Sequence, residues 1–130
     1  MNIEHFDDLL AMARQQPEPQ HLLMVFTTAE CEPDATPEQR ASHAAGEGGV
    51  LRPLMCVDKN PAELKDFRAL AAEAREAGPA WQLMFTAALA GRTTASEIKR
   101  MLELLVKRVE TGEFGGLLPF NVDGEAVLIG

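Results

Sequence analysis

Leu54-Met55-Cys56-Val57, Asn60-Pro61-Ala62-Glu63, Gly78-Pro79 and Trp81-Gln82-Leu83-Met84-Phe85 follow one another along the chain, and the fold class is read from this run. The two outer pieces are apolar and strand-like. Between them Asn60 is a good N-cap, Pro61 stands where its missing N–H costs nothing, and Glu63 can bond back to the cap. Gly78 tolerates positive φ, and Pro79 cannot continue a helix. The spacing predicts a helix over 61–77, with Leu64, Phe67, Leu70, Ala71 and Ala74 as its inward stripe. Strand, helix, strand is the unit that joins two parallel strands lying side by side, so the chain reads as α/β, with α+β as the other solution.

Upstream, Ile3, Phe6, Leu10 and Ala13 recur at helical spacing and predict a helix over 3–15 capped by Asn2. Leu22-Leu23-Met24-Val25-Phe26 runs apolar without alternation, as an interior strand covered on both faces does. Residues 28–49 contain no Val, Leu, Ile, Met, Phe or Trp, so they read as a polar surface excursion. Within it, Thr36-Pro37-Glu38-Gln39 has the form of a capping box that opens a short helix through Ala45. Strand 50–57 contains Pro53, which places it toward a sheet edge unless it begins later.

Downstream, Trp81, Leu83, Phe85, Ala87 and Leu89 form a buried strand. Thr94-Ala95-Ser96-Glu97 caps a helix with the stripe Ile98, Met101, Leu102, Leu105 and Val109, ending at Gly112. Leu117-Leu118-Pro119-Phe120 and Ala126-Val127-Leu128-Ile129 flank the turn Asn121-Val122-Asp123-Gly124, a hairpin signal. The expected architecture is one domain over 1–130: a single mixed sheet of about five strands with three main helices, in the order α-β-β-α-β-α-β-β. A right-handed crossover through 61–77 lets that helix and the third helix share one face of the sheet.

With 130 residues, 46% of them hydrophobic and 25% charged, the chain has the material for one folded domain. Met1–Asp8 lacks the basic start and apolar core of a signal peptide, and no apolar stretch spans a bilayer, so a cytoplasmic chain with no membrane partner is expected. The net charge of −8 is concentrated: residues 1–49 hold nine acids and two bases, a net of −7. That speaks against sequence-independent binding of nucleic acid, which needs bases to neutralise phosphates, and it suits a solvated face or a basic partner. Cys56, in an apolar strand, reads as a small buried hydrophobe. Cys31, between Glu30 and Glu32, is disfavoured as a reactive thiol, and no disulfide is expected.

No cofactor or metal motif is present. His5, His21 and His43 are scattered, neither cysteine has a second ligand at Cys-x2-Cys distance, and Ser42 and Ser96, the only serines, lie on no strand-to-helix elbow. The best ligand candidate is Gly91-Arg92-Thr93-Thr94, where a helix start, Arg92, Thr93 and Thr94 could hold an anion. Compared with a P-loop, Thr86-Ala87-Ala88-Leu89-Ala90-Gly91-Arg92-Thr93 has Thr for the first Gly and Arg for Lys, and capping alone explains its hydroxyls. Asp58 and Lys59 stand at the C-terminal end of a strand, where α/β proteins place ligands, although Asp58-Lys59-Asn60 is also ordinary turn chemistry. Lys99, Arg100, Lys107 and Arg108 share helix 97–110 with Glu97, Glu103 and Glu110, a mixed solvated surface.

Phe6-Asp7-Asp8-Leu9-Leu10, Gln16-Pro17-Glu18-Pro19-Gln20, Gly46-Glu47-Gly48-Gly49 leading to Pro53-Leu54-Met55-Cys56-Val57-Asp58-Lys59, and Gly78-Pro79-Ala80-Trp81 carry a resemblance over most of the length. On them the chain resembles a small family of uncharacterised bacterial proteins labelled "ribonucleotide reductase subunit alpha". That chemistry needs a radical-bearing cysteine plus a redox pair, and two cysteines cannot supply three thiols. No catalytic residue is therefore carried over. The resemblance implies at most a partner relationship.

Two functions follow as expectations. The first is a non-catalytic interaction or regulatory module that works through a protein partner or self-association, since an open sheet leaves an edge to be covered or paired. The second is a small enzyme or binding protein for an anionic metabolite, with Asp58, Lys59, Arg92, Thr93 and Thr94 converging at the C-terminal edge of the sheet.

Overall fold

The structure, a computed structural model, describes residues 3–30, 37, 50–78, 80–91 and 93–127. The elements are α1 (Phe6–Arg14), β1 (Gln20–Glu30), β2 (Val50–Lys59), α2 (Phe67–Ala77), β3 (Leu83–Ala90), α3 (Ala95–Glu110) and β4 (Leu118–Phe120). Their order is the expected one, with four strands rather than five among the described residues. All of the helix expected over 36–45 except Pro37, together with Cys31, Arg92 and the last residues of the terminal strand, falls outside the described residues.

The strands form one sheet in the order β2-β1-β3-β4, and every neighbouring pair is antiparallel. Since β1 runs antiparallel to both β2 and β3, those two point the same way, as the strand-helix-strand reading requires. They are not neighbours, however: β1 is inserted between them, so the sheet is not mixed. The physical reason lies in β1 itself. Leu22 to Thr27 are all buried, and a strand apolar on both sides gains most from the central position.

Alternation along β1 separates two cores. Leu22, Met24 and Phe26 face α1 and α2, together with Phe6, Leu10, Leu64, Phe67, Leu70, Trp81 and Phe120. Leu23 and Val25 face α3, together with Phe85, Ile98, Leu105, Val109 and Leu117. So α2 and α3 lie on opposite faces, against the expectation that they share one. The apolar pattern of β3 requires this: Met84 belongs to the first core and Phe85 to the second, and both faces need a cover.

Pro53 is accommodated as its chemistry demands. β2 is an edge strand, and the register slips between Phe26↔Met55 and Thr27↔Pro53, so Leu54 is the extra residue of a bulge. Leu54 and Met55 therefore both reach the first core. Cys56 is exposed with a free thiol, not buried as expected, because edge strands are covered less completely than central ones.

The helix starts also shift. Asn60 caps only a turn, its Oδ1 accepting from Ala62 N–H at 2.9 Å, and the helix proper begins at Phe67 with Asp66 as N-cap. Arg14 accounts for the delay: its guanidinium donates to the carbonyls of Pro61, Leu64 and Lys65, which a helix running through 61–66 would turn along its own axis. Asp66 then accepts from Ala69 N–H at 2.8 Å, and Asp7 of α1 accepts from Phe67 N–H at 2.7 Å. Gly78 is extended, with φ −158°, so the positive φ expected there is not used.

Helix α1 begins at Phe6, not at Ile3, and His5 caps it. Asp7 N–H donates to His5 Nδ1 at 3.0 Å, and the Asp8 carboxylate accepts from the His5 and Glu4 amides. At α3 the reading holds closely: Thr94 is the N-cap and Gly112 has φ +78° just past the last turn. Thr86, 1% exposed, faces the first core with no partner for its hydroxyl among the described residues. Thr86→Val keeps the shape and removes that buried polar group, so urea unfolding should show a gain of about 1 kcal/mol.

The two edges of the sheet differ. β4 is closed off by the chain's own return: Phe120 bridges Ala126, Val127 N–H donates to Pro119 O at 3.1 Å, and Glu125 bridges His5. Among the described residues nothing pairs with the outer side of β2.

Candidate functional site

The anticipated ligand residues are split by the pleat. The C-terminal ends of β2 and β3 do share one end of the sheet, since Lys59 is opposite Leu22 and Ala90 opposite Gln20. With β1 between them, they stand about 10 Å apart. Lys59 turns to the α2 face, where its Nζ pairs with Glu73 Oε1 at 2.7 Å. Asp58, opposite Leu23, is exposed on the α3 face. Thr94 opens α3 on that face, but its hydroxyl already accepts from Glu97 N–H at 3.2 Å, and Thr93 bonds locally to Gly91 O at 3.5 Å. Asp58 and Thr94 are thus brought to one end and one face, and Lys59 is turned away from them. His21, opposite Leu89, adds a buried Nδ1 without a partner among the described residues at the same end.

A larger concavity lies elsewhere, along α2. This groove, of about 690 Å³, has Phe67 and Trp81 as its floor, α2 as one wall and the hairpin tip Val122-Asp123 as the other. Its construction starts from the caps. His5 accepts from Asp7 N–H through Nδ1, which leaves Nε2 to donate to Asp123 O at 3.0 Å, so one imidazole ties the helix start to the hairpin tip. Gly124, buried with φ +82°, lets the tip close onto the His5 and Phe67 rings, and its carbonyl accepts from Phe6 N–H at 2.8 Å. Phe67 in turn meets His5 and Trp81 edge-on, at centroid distances of 5.7 and 6.3 Å, and Phe6 at a tilt, at 5.9 Å.

Arg68, Ala71 and Arg75 line the helical wall, at i, i+3 and i+7 on one face of α2. Both arginines are exposed, and neither has an ion-pair or hydrogen-bond partner among the described residues. Asp7 and Asp66 stand at the opening of the helix, each with one oxygen engaged by a backbone N–H, and Asp123 lies across from them. The chemistry available is recognition: cationic forks, apolar floor, fixed dipoles. Among the described residues no group of three His, Cys, Asp or Glu could hold a metal ion, and no helix is long and apolar enough to cross a membrane.

Sequence reasoning missed this groove. Its one legible signal was the pair of arginines seven apart, one turn round the helix from the apolar stripe; the contribution of Val122 and Asp123 depends on tertiary closure. No protein-family model, no curated protein and no solved structure matches the chain.

Proposed function

We propose that this chain is a non-catalytic, cytoplasmic protein-interaction module, and that its contact is made by strand addition at the free edge of β2, by a second copy of the chain. The observation that carries the reading is the asymmetry of the two sheet edges: β4 is closed by the returning chain, and among the described residues no strand pairs with the outer side of β2. Of the guards that proteins place on such edges, a proline and a bulge stand in the first half of β2, at Pro53 and Leu54, and charges at its very end, at Asp58 and Lys59, which leaves Met55, Cys56 and Val57 between them. The second half runs beside a small apolar cleft of about 40 Å³ against α2, lined by Met55, Val57, Leu70 and Ala74, which can seat a methyl-sized group of an added strand.

Cys56 is exposed in that half and is not one of the side chains that build either core, so Cys56→Lys should leave stability within about 0.5 kcal/mol while adding a charge that opposes edge pairing. Sedimentation velocity is expected to show a concentration-dependent dimer for the wild type and a monomer for Cys56→Lys at the same tens of micromolar. A wild type that stays monomeric up to millimolar concentration, with β2 amides exchanging freely, contradicts the proposal.

The alternative, a site for an anionic metabolite at the end of β2 and β3, has the unpartnered His21 Nδ1 in its favour. Lys59 directed to the opposite face and the Thr93 hydroxyl donated to Gly91 O leave that reading fewer groups than it requires.

A further inference from the structure

We propose that the groove along α2 is a second binding site, for an acidic peptide segment in extended, polyproline-type conformation. This site is separate from the β2 edge and does not depend on it. Four features point there together. Arg68 and Arg75 lie on one helix face with only the methyl of Ala71 between them, so their guanidinium groups share one groove. Their axial separation is seven residues, about 10.5 Å. A polyproline-type segment repeats every three residues at about 3.1 Å each, so carboxylates at positions i and i+3 stand about 9 Å apart on one side and match the two arginines. Each arginine offers a planar fork suited to a carboxylate, and neither has a partner among the described residues.

The floor supplies the second half of the recognition. Trp81 is 6% exposed, lines the groove and has its ring held edge-on by Phe26 and Phe67. A rigid aromatic surface of this kind takes the apolar residue or proline that stands between the two acids. Charge fixes the direction of the ligand. Asp7, Asp66 and Asp123 gather at the start of α2, where Asp7 and Asp66 already serve its backbone N–H groups, and Arg75 lies toward the other end, in no ion pair among the described residues. The acidic side chains of the segment therefore lie over the arginines and its least acidic end lies toward Asp123.

Trp81 is the sole tryptophan of the chain, so the site carries its own reporter. The probe is acetyl-Glu-Pro-Leu-Glu-amide, titrated into the full chain while tryptophan emission is read, with acetyl-Lys-Pro-Leu-Lys-amide and citrate as comparison arms. The glutamate peptide is expected to give a saturable change with a Kd below about 1 mM. The expected loss of affinity is at least fivefold in Arg68→Ala and again in Arg75→Ala, with Arg75→Lys between them. Both side chains are exposed and unpartnered, so these variants should fold; an unchanged circular dichroism spectrum confirms it. Equal binding of the lysine peptide, an unchanged Kd in the arginine variants, or no response of Trp81 to the glutamate peptide overturns the proposal. Citrate binding as tightly as the peptide overturns it too, in favour of a small polyanion. The Cys56→Lys variant should bind the peptide like the wild type, so failure at the β2 edge and failure here are told apart.

Discussion

Gly124→Ala should destabilise the chain by about 2–5 kcal/mol, the largest expected effect of any single-methyl addition here. Two independent costs combine. At φ +82° an L side chain is strained by roughly 1–2 kcal/mol. The added Cβ would also stand 2.6 Å from His5 Nε2 and 2.8 Å from Phe67 Cδ2, and overpacking of that kind costs roughly 1–3 kcal/mol. Neither ring can yield freely. His5 is held between Asp7 N–H and Asp123 O, and Phe67 is enclosed by Phe6 and Trp81. The control is internal: Gly112 and Gly116 also have positive φ, at +78° and +80°, but an added Cβ meets nothing within 4 Å. Their alanine variants should therefore pay only the conformational part, roughly 1–2 kcal/mol. Urea denaturation of the three variants checks the ranking. Equal losses at all three positions would mean that the hairpin tip does not close on His5.

Arg14→Ala should cost about 2–4 kcal/mol. The guanidinium donates to three carbonyls, of Pro61, Leu64 and Lys65, and hydrogen bonds from a charged donor each contribute roughly 1.5–3 kcal/mol, reduced here by partial exposure. The segment so held carries buried Pro61 and buried Leu64, so its release loosens the first core as well. Arg14→Lys keeps the charge but loses the fork and should recover less than half of the loss. Hydrogen exchange at residues 62–66 adds a local readout: protection should fall there before it falls in β1. A loss under about 0.5 kcal/mol for Arg14→Ala would show that the turn after Asn60 holds itself.

How legible this molecule is in its sequence depends on the range of the interactions. The unalternated run Leu22–Phe26 placed β1 inside the sheet, and Pro53 placed β2 at an edge, because burial and a missing N–H act locally. Thr94 and Gly112 bounded α3 for the same reason. Three things were set by partners distant in sequence. The start of α2 was moved by Arg14, about 50 residues away along the chain. The parallel pair β2 and β3 was separated by β1, because strand order follows which segment is most apolar rather than which is next in the chain. The groove was hidden because His5, Phe67, Trp81 and Asp123 converge from four separate parts of the chain. The anion site expected from Asp58, Lys59 and 91–94 was read from chain order alone, and the alternation of β2 sends Asp58 and Lys59 to opposite faces.

Both proposed surfaces rest on the sheet order, because β2 lies at an edge and α2 spans β1 only if β1 lies between β2 and β3. Cross-strand Hα–Hα nuclear Overhauser effects in the labelled protein read that order directly. The fold predicts contacts from β1 to both neighbours, among the pairs Leu23↔Asp58 and Met24↔Val57 on one side and Met24↔Thr86 and Val25↔Phe85 on the other, with none from β2 to β3. Contacts joining β2 directly to β3 as adjacent parallel strands would contradict the fold and remove both surfaces with it.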